Sequence, residues 1–163
     1  MRYTAAAVQF EPSLARPDLN VPRLLALAEE AAARGARLVV LPEMANIGYC
    51  FDSRAEVSPF VQPVPGPFTR QLEAIASRQG CVIVAGMGEV DEESDLYYNT
   101  AVVVGPHGYL GKYRKTHFFS ADAKWAVEGD LGLPVWDTPV GRLGVEVCMD
   151  STYPETGRLL ALQ

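Results

Sequence analysis

Four consecutive apolar residues, Leu38-Val39-Val40-Leu41, stand between Gly35 and Pro42. A run that short and apolar at every position reads as a strand buried on both faces, so material must pack above and below it. The segment before it supplies one layer. Val21, Leu24, Leu25, Ala28, Ala31 and Ala32 keep helical spacing on one face, with Arg23, Glu29, Glu30 and Arg34 opposite and Gly35 as the stop. Asn20 reads as the N-cap of that helix, with Pro22 near the first turn. Residues 2–10 alternate and are rich in small and β-branched side chains, which predicts a strand ahead of it. Residues 68–78 form a second helix closed by Gly80, and residues 81–90 a second apolar strand. Residues 97–104 and 109–114 make a hairpin around Gly105-Pro106-His107-Gly108. Further strands are expected near 135–137 and 143–148, and a last helix beyond Pro154 is still running at Gln163. Two long irregular connections, 42–67 and 115–133, interrupt this order; loops of that length usually carry function. The succession β-α-β-α-β-β-β-β-β-α predicts an α/β fold: a mixed sheet with helices on one or both faces.

At 163 residues, 48% hydrophobic and 21% charged, the chain is expected to make one globular domain. A formal charge of −6 argues against general affinity for nucleic acid, and Lys112, Arg114 and Lys115 are the only tight basic cluster. No apolar run approaches the length of a membrane span, and the opening residues lack the zones of a signal peptide. Three cysteines without an export signal predict free thiols and a cytoplasmic setting. Cys50, Cys81, Cys148, His107 and His117 show no metal-ligand spacing. Gly86-Met87-Gly88 fails as a dinucleotide loop, since the third glycine position is Asp91 and no helix follows.

Three polar residues stand at the ends of predicted strands. Glu43 follows 38–41, Lys115 follows 109–114, and Cys148 closes 143–147. Strand ends are where α/β folds collect reactive side chains. A carboxylate, an ammonium and a thiol together form a coherent set: the Lys lowers the thiol pKa, the Glu takes its proton, and the Lys then holds an oxyanion. Each residue taken singly also reads as a solvated Glu, a surface Lys and a buried thiol. Cys50 and Cys81 read as packing thiols, and Lys112 as solvated, since two residues three apart on an extended segment cannot both enter one pocket.

Leu41-Pro42-Glu43-Met44 with Gly48-Tyr49, Tyr113-Arg114-Lys115-Thr116-His117, and Gly144-Val145-Glu146-Val147-Cys148-Met149-Asp150 with Tyr153-Pro154-Glu155 resemble the nitrilase superfamily of carbon–nitrogen hydrolases. The resemblance runs from the opening strand with Gln9 to Arg158. It implies an α-β-β-α sandwich and a Glu-Lys-Cys triad working through a thioester, with no metal or organic cofactor. It makes Glu43 the general base, Lys115 the oxyanion-binding Lys, Cys148 the nucleophile and the Met149 backbone N–H a second oxyanion donor. The substrate class implied is a small amide or N-carbamoyl compound, since Cys-Met-Asp looks more like the amidase and carbamoylase branches than the Cys-Trp-Glu of nitrile hydrolysers. Relatives usually pair, so a homo-oligomer is expected of the full-length form.

Some positions depart from the family pattern. A further acidic residue belongs in the loop after the Lys, and both Asp122 and Glu128 are open for it, with Asp122 nearer the expected spacing. Glu146 stands where an apolar strand residue is usual, and is either a pocket residue or the partner of a buried cation. Tyr49, Phe51, Phe60 and Trp125 either line a pocket or anchor the loops. His117 is a structural neighbour of Lys115, with a Cys-His pair as the alternative. In relatives the second half of the sandwich follows the Pro154 helix, so an incomplete sandwich is expected over residues 1–163.

Overall fold

The computed structural model describes residues 2–163. The expected order of elements holds: β1 (Thr4–Ala7), α1 (Pro17–Ala33), β2 (Ala36–Val40), a one-turn α2 (Arg54–Val57), α3 (Pro67–Gln79), β3 (Val82–Asp91), β4 (Leu96–Gly105), β5 (Gly108–Arg114), β6 (Val135–Thr138), β7 (Gly141–Gly144) and α4 (Pro154–Leu162). Strands β1 to β5 form one sheet in chain order. β1, β2 and β3 run parallel, and β4 and β5 return antiparallel. Parallel neighbours require crossovers, which α1 and α3 supply. Both crossovers step the same way, so one handedness puts both helices on one face. Leu24 and Ala28 of α1 and Leu72 and Ile75 of α3 pack there on Val39, Ile83, Ala85 and Val102. Each fully buried Leu or Ile contributes about 1.5–3 kcal/mol from the surface it withdraws from water.

On the opposite face Val82, Val84, Ala101, Val103 and Tyr113 meet Val145 and Val147, with Trp136, Val140 and Leu143 of the β6–β7 hairpin packed alongside. Helix α4 lies beyond that hairpin. Leu160 sits so close over Gly144 that a Cβ there would come within 2.8 Å of it. The layers are therefore α-β-β-α, as the resemblance implies, with two strands in the second sheet against five in the first. Among the described residues no helix is long and apolar enough to cross a membrane.

Three local expectations are corrected. Helix α1 begins at Pro17, a residue suited to the first helical position because its missing N–H has no partner there anyway. Asn20 is buried inside the helix and does not cap it. Its side chain accepts from Ser13 N (2.8 Å) and donates to Ser13 O (2.7 Å), pinning the incoming loop. The apolar run at β2 is covered fully on one face only: Val39 and Leu41 are buried, but Val40 is 39% exposed. The hairpin tip at Pro139 and Val140 reaches Arg37 at the start of β2 and leaves its far end open. The last strand stops at Gly144, because pairing with β6 ends there; residues 145–147 continue outside any ladder.

Lys112 is also not solvated. Its Nζ pairs with the fully buried Glu89, which Arg114 Nη2 reaches as well at 2.6 Å. Arg114 further holds Asp91 (2.8 Å) and Asp130 (2.9 Å). The Arg114 hydrogen bond pushes the Asp91 carboxyl down to about 2. A depressed carboxylate pKa adds stability that is complete above the unfolded value near 4 and is lost as pH falls through the folded value. The Tm deficit of Asp91→Asn should accordingly be constant above about pH 4 and close between about pH 4 and 2. A deficit that stays constant down to pH 2 would exclude this pair as its source.

Candidate active site

Glu43 lies three residues beyond β2, yet it is held by the sheet. Leu41 N donates to Val84 O (2.8 Å), Gly86 N to Pro42 O (3.1 Å) and Ala45 N to Gly86 O (3.0 Å). The strap is so close that a Cβ on Gly86 would stand 2.5 Å from Glu43 Cα. Only glycine permits that approach. Lys115 is the first residue past β5; its N–H donates to Asn99 O (2.8 Å) and its C=O accepts from Gly129 N (2.9 Å). Pleating sends Lys112 and Arg114 to the face bearing the helices and Lys115 to the other. Cys148 opens a 3-10 turn (Cys148–Thr152) with φ 48°, the left-handed region that non-glycine residues seldom occupy.

These segments converge. Lys115 Nζ donates to Glu43 Oε1 and to Asp122 Oδ2, each at 2.7 Å. Asn99 Nδ2 donates to the same two carboxylates, to Glu43 Oε1 at 2.7 Å and Asp122 Oδ1 at 2.9 Å. The four side chains close a ring. Tyr49 OH and Phe119 N complete Asp122 at 3.0 and 2.9 Å. Burial alone would lower the Lys115 pKa, but its hydrogen bonds to Asp122 and Glu43 outweigh that and raise it. It stays an ammonium. Burial, reinforced by the Asp122 charge, pushes the Tyr49 phenol up, so Tyr49 acts as a neutral donor.

Cys148 lines, with Glu43, Val84 and Ala101, a cavity of about 270 Å³ at the open end of β2. Although the residue as a whole is exposed, burial is the first cause that raises its thiol pKa, followed by the Glu43 charge; Lys115 pulls the other way. Lys115 depresses the thiol as expected, but burial and the Glu43 charge outweigh it. Glu43 and Asp122 both face that ammonium, and both add to burial in working against a thiolate. The surroundings of Cys148 therefore favour the neutral thiol.

A glutamate, a lysine and a second carboxylate gathered beside a cysteine on this framework agree with a match along nearly the whole chain. The family model for carbon-nitrogen hydrolases covers residues 4–163. The chain belongs to that family. A protein of Pyrococcus abyssi named nitrilase is 44% identical over 159 residues, which is 97% of this chain and 60% of the relative. An omega-amidase of Homo sapiens is 32% identical, over 98% of this chain and 59% of the relative. A Saccharomyces cerevisiae structure, a member of branch 10 of the nitrilase superfamily, superposes with a TM-score of 0.83 at 27% identity. It matches 97% of this chain and 59% of its own. The chain thus spans about three fifths of the length of the relatives it matches.

Within this carbon-nitrogen hydrolase domain the other predicted residues fall apart into groups. Asp122 is fully buried in the ring, whereas Glu128 is exposed. Trp125 does not line the cavity. It packs with Met44, Ile47, Phe51, Val57 and Tyr97 under the two long loops, with Tyr49 and Phe60 against the same cluster. The loop aromatics are anchors, although Tyr49 also reaches Asp122. Glu146 borders the cavity. Its Oε1 is buried without a partner and would lie 2.9 Å from a Cβ on Gly157 of α4, so no cation among the described residues pairs with it. His117 turns to Asp150, 2.8 Å away, and stacks on Tyr153. Cys81 is buried as expected, but Cys50 is exposed. Met149 directly follows Cys148 in the turn. Among the described residues no group of three or more His, Cys, Asp or Glu is placed to hold a metal ion.

Asn99, Asp150 and Gly86 escaped the sequence reading. Asn99 carried a usable signal: a small amide inside a strand of mostly apolar and aromatic residues is out of keeping with strand preferences.

Proposed function

We propose that this chain hydrolyses a linear amide or N-carbamoyl C–N bond through a thioester on Cys148. The observation that carries the reading is the hydrogen-bonded ring of Glu43, Lys115, Asp122 and Asn99 beside the thiol. Glu43 Oε1 is taken by Lys115 and Asn99, which leaves Oε2 to accept the thiol proton. Sγ then bonds to the carbonyl carbon, and the electron pair moves onto its oxygen. An ammonium has three donors. Two of Lys115's are spent on Glu43 and Asp122, and the third is available to that oxyanion, with Met149 N–H as the second donor. Collapse expels the nitrogen, which receives its proton from Glu43. Water gives a proton to Glu43 and attacks the thioester, releasing the acid and the thiol. Every step is served by groups of this chain, and the scheme invokes no metal or organic cofactor.

A nitrile is the second reading, favoured by the name of the 44% identical relative. Ammonia release from matched amide, N-carbamoyl and nitrile panels separates the two, with the amides and carbamoyl compounds expected to turn over. An acyl adduct confined to Cys148 in intact-mass spectra is the expected intermediate. Lys115→Ala should lower kcat by about 10²–10³, the scale of losing one oxyanion donor. Unchanged kcat in that variant would remove Lys115 from the scheme. Failure of all three panels, with no adduct, would leave a binding module as the reading of this chain.

A further inference from the structure

We propose that Asp150 is the positioning residue of the nucleophile: its buried carboxylate ties the turn carrying Cys148 to the strand end carrying Lys115. The proposal rests on the reading of Cys148 as the nucleophile beside Glu43.

Asp150 is fully buried, and both of its oxygens are in use. Oδ2 accepts from Val147 N (3.0 Å) and Tyr113 OH (2.8 Å). Oδ1 accepts from His117 N (2.9 Å) and Thr116 OH (3.2 Å) and lies 2.8 Å from His117 Nδ1. Val147 immediately precedes Cys148, while Tyr113, Thr116 and His117 bracket Lys115. One side chain therefore joins the two segments that bring thiol and ammonium together. Hydrogen bonds to a carboxylate are roughly twice as strong as neutral ones, and burial excludes competing water. Such a tie is what the backbone of Cys148 requires. A non-glycine residue at φ 48° persists only where its surroundings over-determine it. The turn is closed from the other side by Asp150 N donating to Val147 O at 3.1 Å. His117, stacked on Tyr153 with ring centroids 4.2 Å apart, is oriented by that contact.

The arrangement makes Asp150→Asn a sharp probe. Each oxygen accepts one backbone N–H, Val147's at Oδ2 and His117's at Oδ1. An amide has one acceptor oxygen, so whichever way Asn turns, its NH₂ faces one of these N–H groups and one tie is lost. The elbow relaxes, and the thiol no longer keeps its place beside Glu43.

Coupling between Glu43 and Cys148 reads this directly and needs no substrate. The charged groups facing the thiol are Glu43 from beyond β2, Lys115 from beyond β5 and Asp122 from the turn after it, and Glu146 borders the same cavity. The pH midpoint of Cys148 alkylation, followed cysteine by cysteine by mass spectrometry, is compared in the wild-type chain, Glu43→Gln, Asp150→Asn and the double variant. In the wild-type background Glu43→Gln should lower the midpoint by about one pH unit, the scale of a nearby like charge. In the Asp150→Asn background the same substitution should move it by less than about half as much. Leu72→Ala, which weakens the core under α3 without touching the site, should keep the full shift. A full shift in folded Asp150→Asn overturns the proposal and leaves the site reading intact. No shift even in the wild-type background removes the Glu43–Cys148 pairing, and the proposal falls with it. If Asp150→Asn does not fold, Tyr113→Phe deletes one of the two bonds at Oδ2. It should weaken the same coupling, and an undiminished shift there also overturns the proposal.

Discussion

Cys148→Ala is expected to abolish ammonia release from every amide the chain accepts, a loss of about 10⁴-fold or more in kcat, while leaving the fold intact. The size follows from the chemistry, because no other thiol stands in the ring of charged groups. Cys81 is buried on the helix side of the sheet and Cys50 is exposed in the loop after Tyr49. The harmlessness to the fold follows from the backbone. Alanine at φ 48° bears the same Cβ penalty as cysteine, so the strain is unchanged, and the side chain being shortened belongs to an exposed residue. Its effect on stability should stay within the roughly ±0.5 kcal/mol of an ordinary surface substitution. Ammonia release and thermal unfolding, measured on the same preparation, check both halves. Wild-type turnover by this variant would end the thioester mechanism.

Glu43→Gln should produce two effects of opposite direction. Hydrolysis should fall by about 10²–10⁴, because glutamine keeps an oxygen for Lys115 and Asn99 but cannot take the thiol proton or return it to the leaving nitrogen. The thiol itself should become easier to ionise. In the native site burial and the Glu43 carboxylate hold it above the ordinary thiol value against the pull of Lys115. Removing that negative charge leaves the ammonium less opposed, so the alkylation midpoint drops. A variant that alkylates more readily and turns over far more slowly separates nucleophile ionisation from acid–base catalysis. Normal kcat with an accepted amide would take Glu43 out of the mechanism, and a raised midpoint would reverse the electrostatic account of the site.

The element order and the strand-end positions of Glu43 and Lys115 were legible because they rest on local signals: period-two and helical spacing, an apolar run, glycine and proline stops. Between Asp122 and Glu128 the spacing could not show which acid the 3-10 turn at Asp122–Lys124 would bury. Lys112 was misread for a related reason. On one strand the pleat tells that Lys112 and Lys115 face apart, but Glu89, its partner, comes from β3, 23 residues away in sequence. Asp150 was quoted as part of a motif without a role, since its partners at 113, 116 and 117 approach only when β5 and the turn are folded side by side. The pull of Lys115 on the thiol was legible, but its net shift was not, because burial and the Glu43 charge that outweigh the lysine arise only in the fold.

The strap between residues 41–45 and β3 fixes the chain just after β2. Glu43 is registered to Val84 and Gly86 as firmly as a strand residue would be, although it stands outside the strand. Past Gly48 the connection leaves the sheet, returns to pair with β3 at Gln62, and packs its aromatics among themselves and on Trp125. Residues 50–66 line none of the cavity beside Cys148, so changes of sequence there can be absorbed without displacing Glu43. Variation on this scaffold has a ready route: the placement of Glu43 is inherited with the sheet, and the outer loop can change around it.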